Sequence, residues 1–171
     1  MRKFLLPLLL LFIFISESIF VELFPVGLLD DARIIVPRFL MITLLFLTIY
    51  GPKKYGIIYS FIFGLLFDIV YTEIIGIYLF IFPLVSYIVS KLMKILQTNI
   101  VIVSLVTILG VILLEMGVYE MNFLIHQTSM DFSSFVSLRL IPTVIFNLVI
   151  TCIVAYPLKK HFENLVTSLD V

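Results

Sequence analysis

Three carboxylates stand inside otherwise apolar stretches of this chain: Glu17, Asp68 and Glu115. A charge near the centre of a bilayer costs on the order of 3 kcal/mol on insertion scales, so each needs a partner or a wet cavity. Arg33, Arg38 and Arg139 begin or flank apolar segments at a similar depth. Opposite charges at one depth predict a polar cluster inside a helix bundle. The alternative for the acids is an interfacial, snorkelling or protonated carboxyl. Asp68 has a particular setting, with Gly64 four residues earlier on the same helical face. A glycine there lets a neighbouring backbone come close. Tyr71 shares that face and is placed to donate a hydrogen bond. Asn147 is a further polar group expected to point inward, and Gly110 and Gly117, seven residues apart, offer a packing surface.

Other chemistry finds no support in the residues. There is no H-E-x-x-H zinc motif, no G-x-S-x-G elbow and no phosphate-binding G-x-x-x-x-G-K-[ST]. His126 and His161 fall on opposite sides of a membrane in the topology derived below, and neither has a second ligand at metal-binding spacing. Cys152 is the single cysteine, which excludes an internal disulfide, and its apolar surroundings predict a small buried thiol. We therefore expect no catalytic residue, no cofactor and no metal.

The elements that must position these residues follow from composition. Of 171 residues, 63% are hydrophobic and only 13% charged, far from the soluble globular norm. A bilayer core about 30 Å thick needs roughly 20 apolar residues per helix. Six apolar segments are legible, at about 4–24, 34–50, 57–71, 76–90, 100–119 and 135–156, and they fill one transmembrane domain covering 1–171. Pro25, Gly51-Pro52 and Pro157 end segments, Thr98 or Asn99 caps the fifth, and Pro83 should kink the fourth. Arg2 and Lys3 ahead of an apolar run resemble a signal peptide, but hydrophobicity resumes after Ser18, which favours a retained first span.

Charge sets the orientation. Short loops rich in Lys and Arg stay in the cytoplasm. Six spans with both ends inside place Arg2, Lys3, Lys53, Lys54, Lys91, Lys94, Lys159 and Lys160 there, eight of the eleven bases, and leave only Arg33, Arg38 and Arg139 outside. Glu22, Asp30, Asp31, Glu73, Glu120 and Asp131 then lie at or beyond the outer boundary. A net charge of zero gives no electrostatic footprint for nucleic acid. A lipid bilayer bordering the cytoplasm is the expected surrounding.

The segment from Gly64 to Gly76 reads G-L-L-F-D-I-V-Y-T-E-I-I-G, with an apolar return helix closed by Lys91 and Lys94. This resembles the signature of the rod shape-determining MreD family: a G-L-x-x-D helix, a tight turn, a glycine and an apolar return helix. Gly64, Asp68 and Gly76 match it, and Tyr71-Thr72-Glu73 stands where the family often has small residues. The resemblance implies an all-helical fold similar to the substrate-binding S components of energy-coupling-factor vitamin transporters. It implies a role in the bacterial elongation machinery, beside MreC, MreB filaments, RodA and a class B penicillin-binding protein.

Two functions compete. One is a non-catalytic scaffold that binds a partner's transmembrane helix and helps organise lateral peptidoglycan synthesis. The alternative is a transporter S component holding a small solute. Span one lacks the small-x-x-x-small alanine pair with which S components dock on their energising subunit, which favours the scaffold. Candidate structural or partner-binding residues are Gly64, Asp68, Tyr71, Gly76, Glu17, Glu115, Arg38 and Arg139.

Overall fold

The computed structural model describes residues 2–23, 33–72 and 74–167, with side chains from Leu5 onward. Pro25, Gly27, Asp30, Asp31 and Glu73, read above as turn or outer-loop positions, lie outside the described residues. The regular structure of the described residues is all helical: α1 (Arg2–Leu23), α2 (Phe39–Tyr50), α3 (Lys53–Tyr71), α4 (Ile77–Leu92), α5 (Ile100–Leu124) and α6 (Phe132–Thr167). Four of these (α1, α3, α5 and α6) are long and apolar enough to cross a membrane; α2 and α4 are shorter apolar helices. The architecture is that of a polytopic membrane protein.

Helix α2 is the axis of the bundle. It packs against every other helix, and Leu40 through Thr48 are buried without interruption. A helix apolar on every face belongs in a core, and this one is enclosed by protein. Its 12 residues rise only about 18 Å, short of the bilayer core. The second apolar segment was expected to be helical from about residue 34. Instead residues 33–38 are non-helical and lead into α2. The reason is local: Pro37 cannot donate an N–H, and side chains of α6 bind the segment's backbone in place of a helical ladder.

Helix α1 lies at the margin. Leu6, Leu10, Phe14 and Glu17 form its buried stripe, while Leu8, Phe12, Ile15 and Ile19 face outward. Helices α3 and α4 form a close hairpin. A Cβ built on Gly64 would come within 2.5 Å of the Tyr78 carbonyl oxygen, so only glycine permits this approach. Lower in the hairpin, Ser60 and Ser86 share a buried 2.6 Å hydrogen bond. Gly110 of α5 packs against Leu45, Val85 and Val89, and Gly117 against Ile81.

Caps explain several boundaries. The Asn99 side chain accepts the Val101 N–H at 3.1 Å and starts α5. Helix α5 runs five residues beyond the expected end near residue 119. It closes by the bonds His126 N–H to Phe123 O and Gln127 N–H to Asn122 O, with His126 in the left-handed region (φ 57°). Asp131 accepts both the Ser134 amide (3.1 Å) and hydroxyl (2.6 Å), which holds its carboxyl below the ordinary range and starts α6.

Helix α6 also departs from expectation: Pro157 does not end it. The helix continues to Thr167 because Phe162 and Leu165, beyond the proline, are buried in the core. A widened π-type turn at Val136–Leu140 interrupts it near its start. Cys152, expected to be buried, is exposed on the outward face of α6.

Gly64→Ala should destabilise the protein by about 1–3 kcal/mol, since the methyl group meets backbone. Gly117→Ala should cost under about 1 kcal/mol, because it meets only the movable Ile81 side chain. Thermal unfolding of both purified variants in detergent checks this, and equal midpoints would refute the close α3–α4 approach. By the same measurement His126→Gly should gain about 1 kcal/mol, since glycine adopts the left-handed cap without steric cost.

Candidate functional site

The candidate residues gather where α1 ends, α2 begins and the α3–α4 hairpin turns. The non-helical segment before α2 is fastened along α6. Ile34 N–H donates to Leu138 O at 2.8 Å, in the widened turn. Val36 N–H donates to Thr143 Oγ1 at 3.1 Å. Asn147 closes a two-bond ring, accepting the Arg38 N–H at 2.8 Å and donating to Val36 O at 2.9 Å. Thr143 and Asn147 stand four residues apart, so they project on one face of α6.

This fastening aims Arg38 into the bundle, where only 1% of its side chain is exposed. Its Nε donates to Glu115 Oε1 at 2.6 Å, and its Nη2 lies 2.5 Å from the same oxygen. Nη2 also donates to the Tyr78 hydroxyl at 3.2 Å. The guanidinium carbon sits 5.4 Å from the Tyr78 ring centroid and 5.8 Å from that of Phe67, within cation–π range. Arg139 reaches the other carboxylate oxygen, Nε to Oε2 at 3.0 Å. One fully buried carboxylate thus holds two guanidiniums. The triad joins the start of α2, the middle of α5 and the first turns of α6, and Tyr78 adds the start of α4.

Glu17 and Asp68 do different work from Glu115. Glu17 accepts the Leu40 N–H at 2.8 Å, at the first turn of α2, whose partial positive charge favours a carboxylate. Asp68 accepts three backbone N–H groups at 2.9 Å each, those of Gly76, Tyr78 and Leu79. It therefore caps α4 from the neighbouring helix. Gly76 holds a positive φ of 128° to bring the turn onto that carboxylate. The Thr72 hydroxyl donates to the Asp68 backbone carbonyl at 2.9 Å, at the end of α3.

The cluster expected from sequence therefore brings together Arg38, Glu115 and Arg139, with Glu17 close by and Asp68 joined to it through Tyr78. Tyr71 does not bond Asp68. Its hydroxyl pairs with the Ser18 hydroxyl, joining α3 to α1, because three amides already occupy the Asp68 oxygens. Tyr78 and Thr143 went unremarked in the sequence. The signal for Thr143 was its spacing from Asn147. No comparable spacing points to Tyr78.

Glu115→Gln should destabilise the protein by about 3–5 kcal/mol, because the buried Arg38 guanidinium then has no counter-charge. The double variant Arg38→Met with Glu115→Leu should recover most of that loss, since it removes both buried charges. Asp68→Ala leaves three amides without their acceptor and should cost at least about 3 kcal/mol. Thermal unfolding in detergent reads all three, and a double variant no better than Glu115→Gln would refute the ion-pair account.

Comparison with known proteins agrees with the hairpin motif. The family model described as rod shape-determining protein MreD matches residues 2–165. The chain is 39% identical over 169 residues to the rod shape-determining protein MreD of Bacillus subtilis (strain 168), covering 99% of this chain and 98% of that one. It is 30% identical over 125 residues to the cell shape-determining protein MreD of Streptococcus pneumoniae (strain ATCC BAA-255 / R6), covering 73% of this chain and 76% of that one. No solved structure matches. The chain belongs to the MreD family of rod shape-determining proteins, non-catalytic multi-pass membrane proteins with a role in bacterial cell shape.

Proposed function

We propose that the chain is a membrane scaffold of the cell-elongation complex that binds MreC and, through it, helps hold MreB filaments, RodA and a class B penicillin-binding protein in one assembly. One observation carries the reading. Each carboxylate buried in the bundle is engaged by the protein itself: Glu115 by two arginines, Asp68 by three amides, Glu17 by the start of α2. Groups so engaged fix helix positions and are poorly placed for acid–base work on a substrate. A frame of that kind suits a protein that presents surfaces to partner helices.

In this proposal the chain is one transmembrane domain crossing six times, with both ends cytoplasmic. The charge asymmetry of the loops supports that orientation. The two short helices would complete their crossings with non-helical flanks, which membranes tolerate where protein encloses the backbone. Gly64, Asp68 and Gly76 would shape the hairpin, while Glu17, Arg38, Glu115 and Arg139 would lock the end of the bundle beneath the docking surface. A six-helix bundle is also the arrangement expected for a relative of the transporter S components.

Depletion of the protein from a rod-shaped host with no second copy should make cells swell and round within a few generations, scored by microscopy. Cells that remain rods under full depletion would overturn the scaffold reading. Pull-down in mild detergent should recover MreC, whereas recovery of an energising ATPase subunit would favour the transporter.

A further inference from the structure

Beside the ion triad lies an open cleft of about 410 Å³, bounded by the end of α1, the segment before α2, the last turn of α3, the start of α4 and the first turns of α6. Its size lies in the range of small-ligand sites. Charges of both signs line it. Glu17 and Glu22 line it from α1, Arg38 from the start of α2 and Arg139 from α6. Phe67, Tyr71 and Tyr78 supply aromatic surface between them.

The buried charges that line the cleft are fully engaged, and the more exposed ones keep spare capacity. Arg38 is buried against Glu115, and Glu17 is held at the first turn of α2. Arg139 gives Glu115 only its Nε, and among the described residues its Nη groups have no hydrogen-bond partner. Its side chain is 29% exposed. Glu22 is exposed on α1. A simple anion entering the cleft would be drawn by Arg139 and repelled by Glu22, and a simple cation the reverse. A molecule carrying an anionic group and an ammonium satisfies both residues. Ile15 and Ile19 of α1 and Ile69 of α3 are exposed apolar side chains on two of the helices that bound the cleft.

We propose that this cleft binds the zwitterionic phosphate–ammonium head group of an aminophospholipid, its phosphate on the Arg139 guanidinium and its ammonium on Glu22. Arg139 contributes forked N–H donors suited to phosphate oxygens. Val21 and the aromatic side chains receive the glycerol backbone.

The test uses the full chain purified in a non-ionic sugar detergent. Phosphatidylethanolamine and phosphatidylglycerol are titrated in equal amounts, and retained lipid is read by native mass spectrometry. The wild type should retain phosphatidylethanolamine at least several-fold over phosphatidylglycerol. Glu22→Gln, an exposed substitution that leaves the fold intact, should abolish the preference, because the ammonium loses its counter-charge. Arg139→Gln should weaken retention of both lipids. Equal retention by the wild type, or a preference unchanged in Glu22→Gln, would overturn the proposal. Free O-phosphoethanolamine at millimolar concentration separates two sources of the same chemistry. Competition would mean that the head group alone is read, and its absence alongside a retained preference would mean that the tails are needed; either result upholds the site.

Discussion

Everything at this end of the molecule depends on satisfying backbone polar groups where water is scarce. The segment at 33–38 has no helical ladder of its own, yet it enters a bundle whose core is apolar. An unpaired N–H or C=O there would cost several kcal/mol. Thr143, Asn147 and the Leu138 carbonyl supply the missing partners. Once the segment is pinned, Arg38 has a single direction to point. That direction defines the positions of Glu115 and Tyr78.

The acids of the bundle show how one residue type serves distinct structural ends. Glu115 neutralises charge, Asp68 replaces a missing turn of hydrogen bonds at the head of α4, and Glu17 sits on the first turn of α2. Each arrangement ties two or more helices together. Buried ion pairs are often no more stabilising than apolar packing of equal volume, but a broken one is severely destabilising. The value of the triad is that wrong arrangements of α2, α5 and α6 leave a bare charge in an apolar interior.

Much of this was legible in the residues. The G-L-L-F-D spacing carried both the close approach at Gly64 and the inward carboxylate at Asp68, because a four-residue separation fixes a shared helical face. Arg38, Arg139 and Glu115 announced themselves as charges that an apolar setting must pair. What escaped was tertiary. No local pattern says that residues 34–38 prefer α6 side chains to a helix, since propensity speaks only to neighbours along the chain. Tyr71 was misread for the same reason: its face was right, but the acceptor was already occupied. Pro157 looked like a stop because its ring costs a hydrogen bond, and burial of Phe162 and Leu165 outweighed that cost.

The widened turn at Val136–Leu140 has a consequence for helical phase. An α-helix advances about 100° per residue, so one extra residue in a turn rotates everything before it by that amount relative to everything after it. Upstream, Phe135 stacks on Tyr119 with ring centroids 4.1 Å apart. Downstream, Thr143 and Asn147 face the segment before α2. A regular helix would align one of these surfaces and swing the other away. The turn thus acts as a phase shifter, letting a single helix face two neighbours that no uniform spiral could serve together.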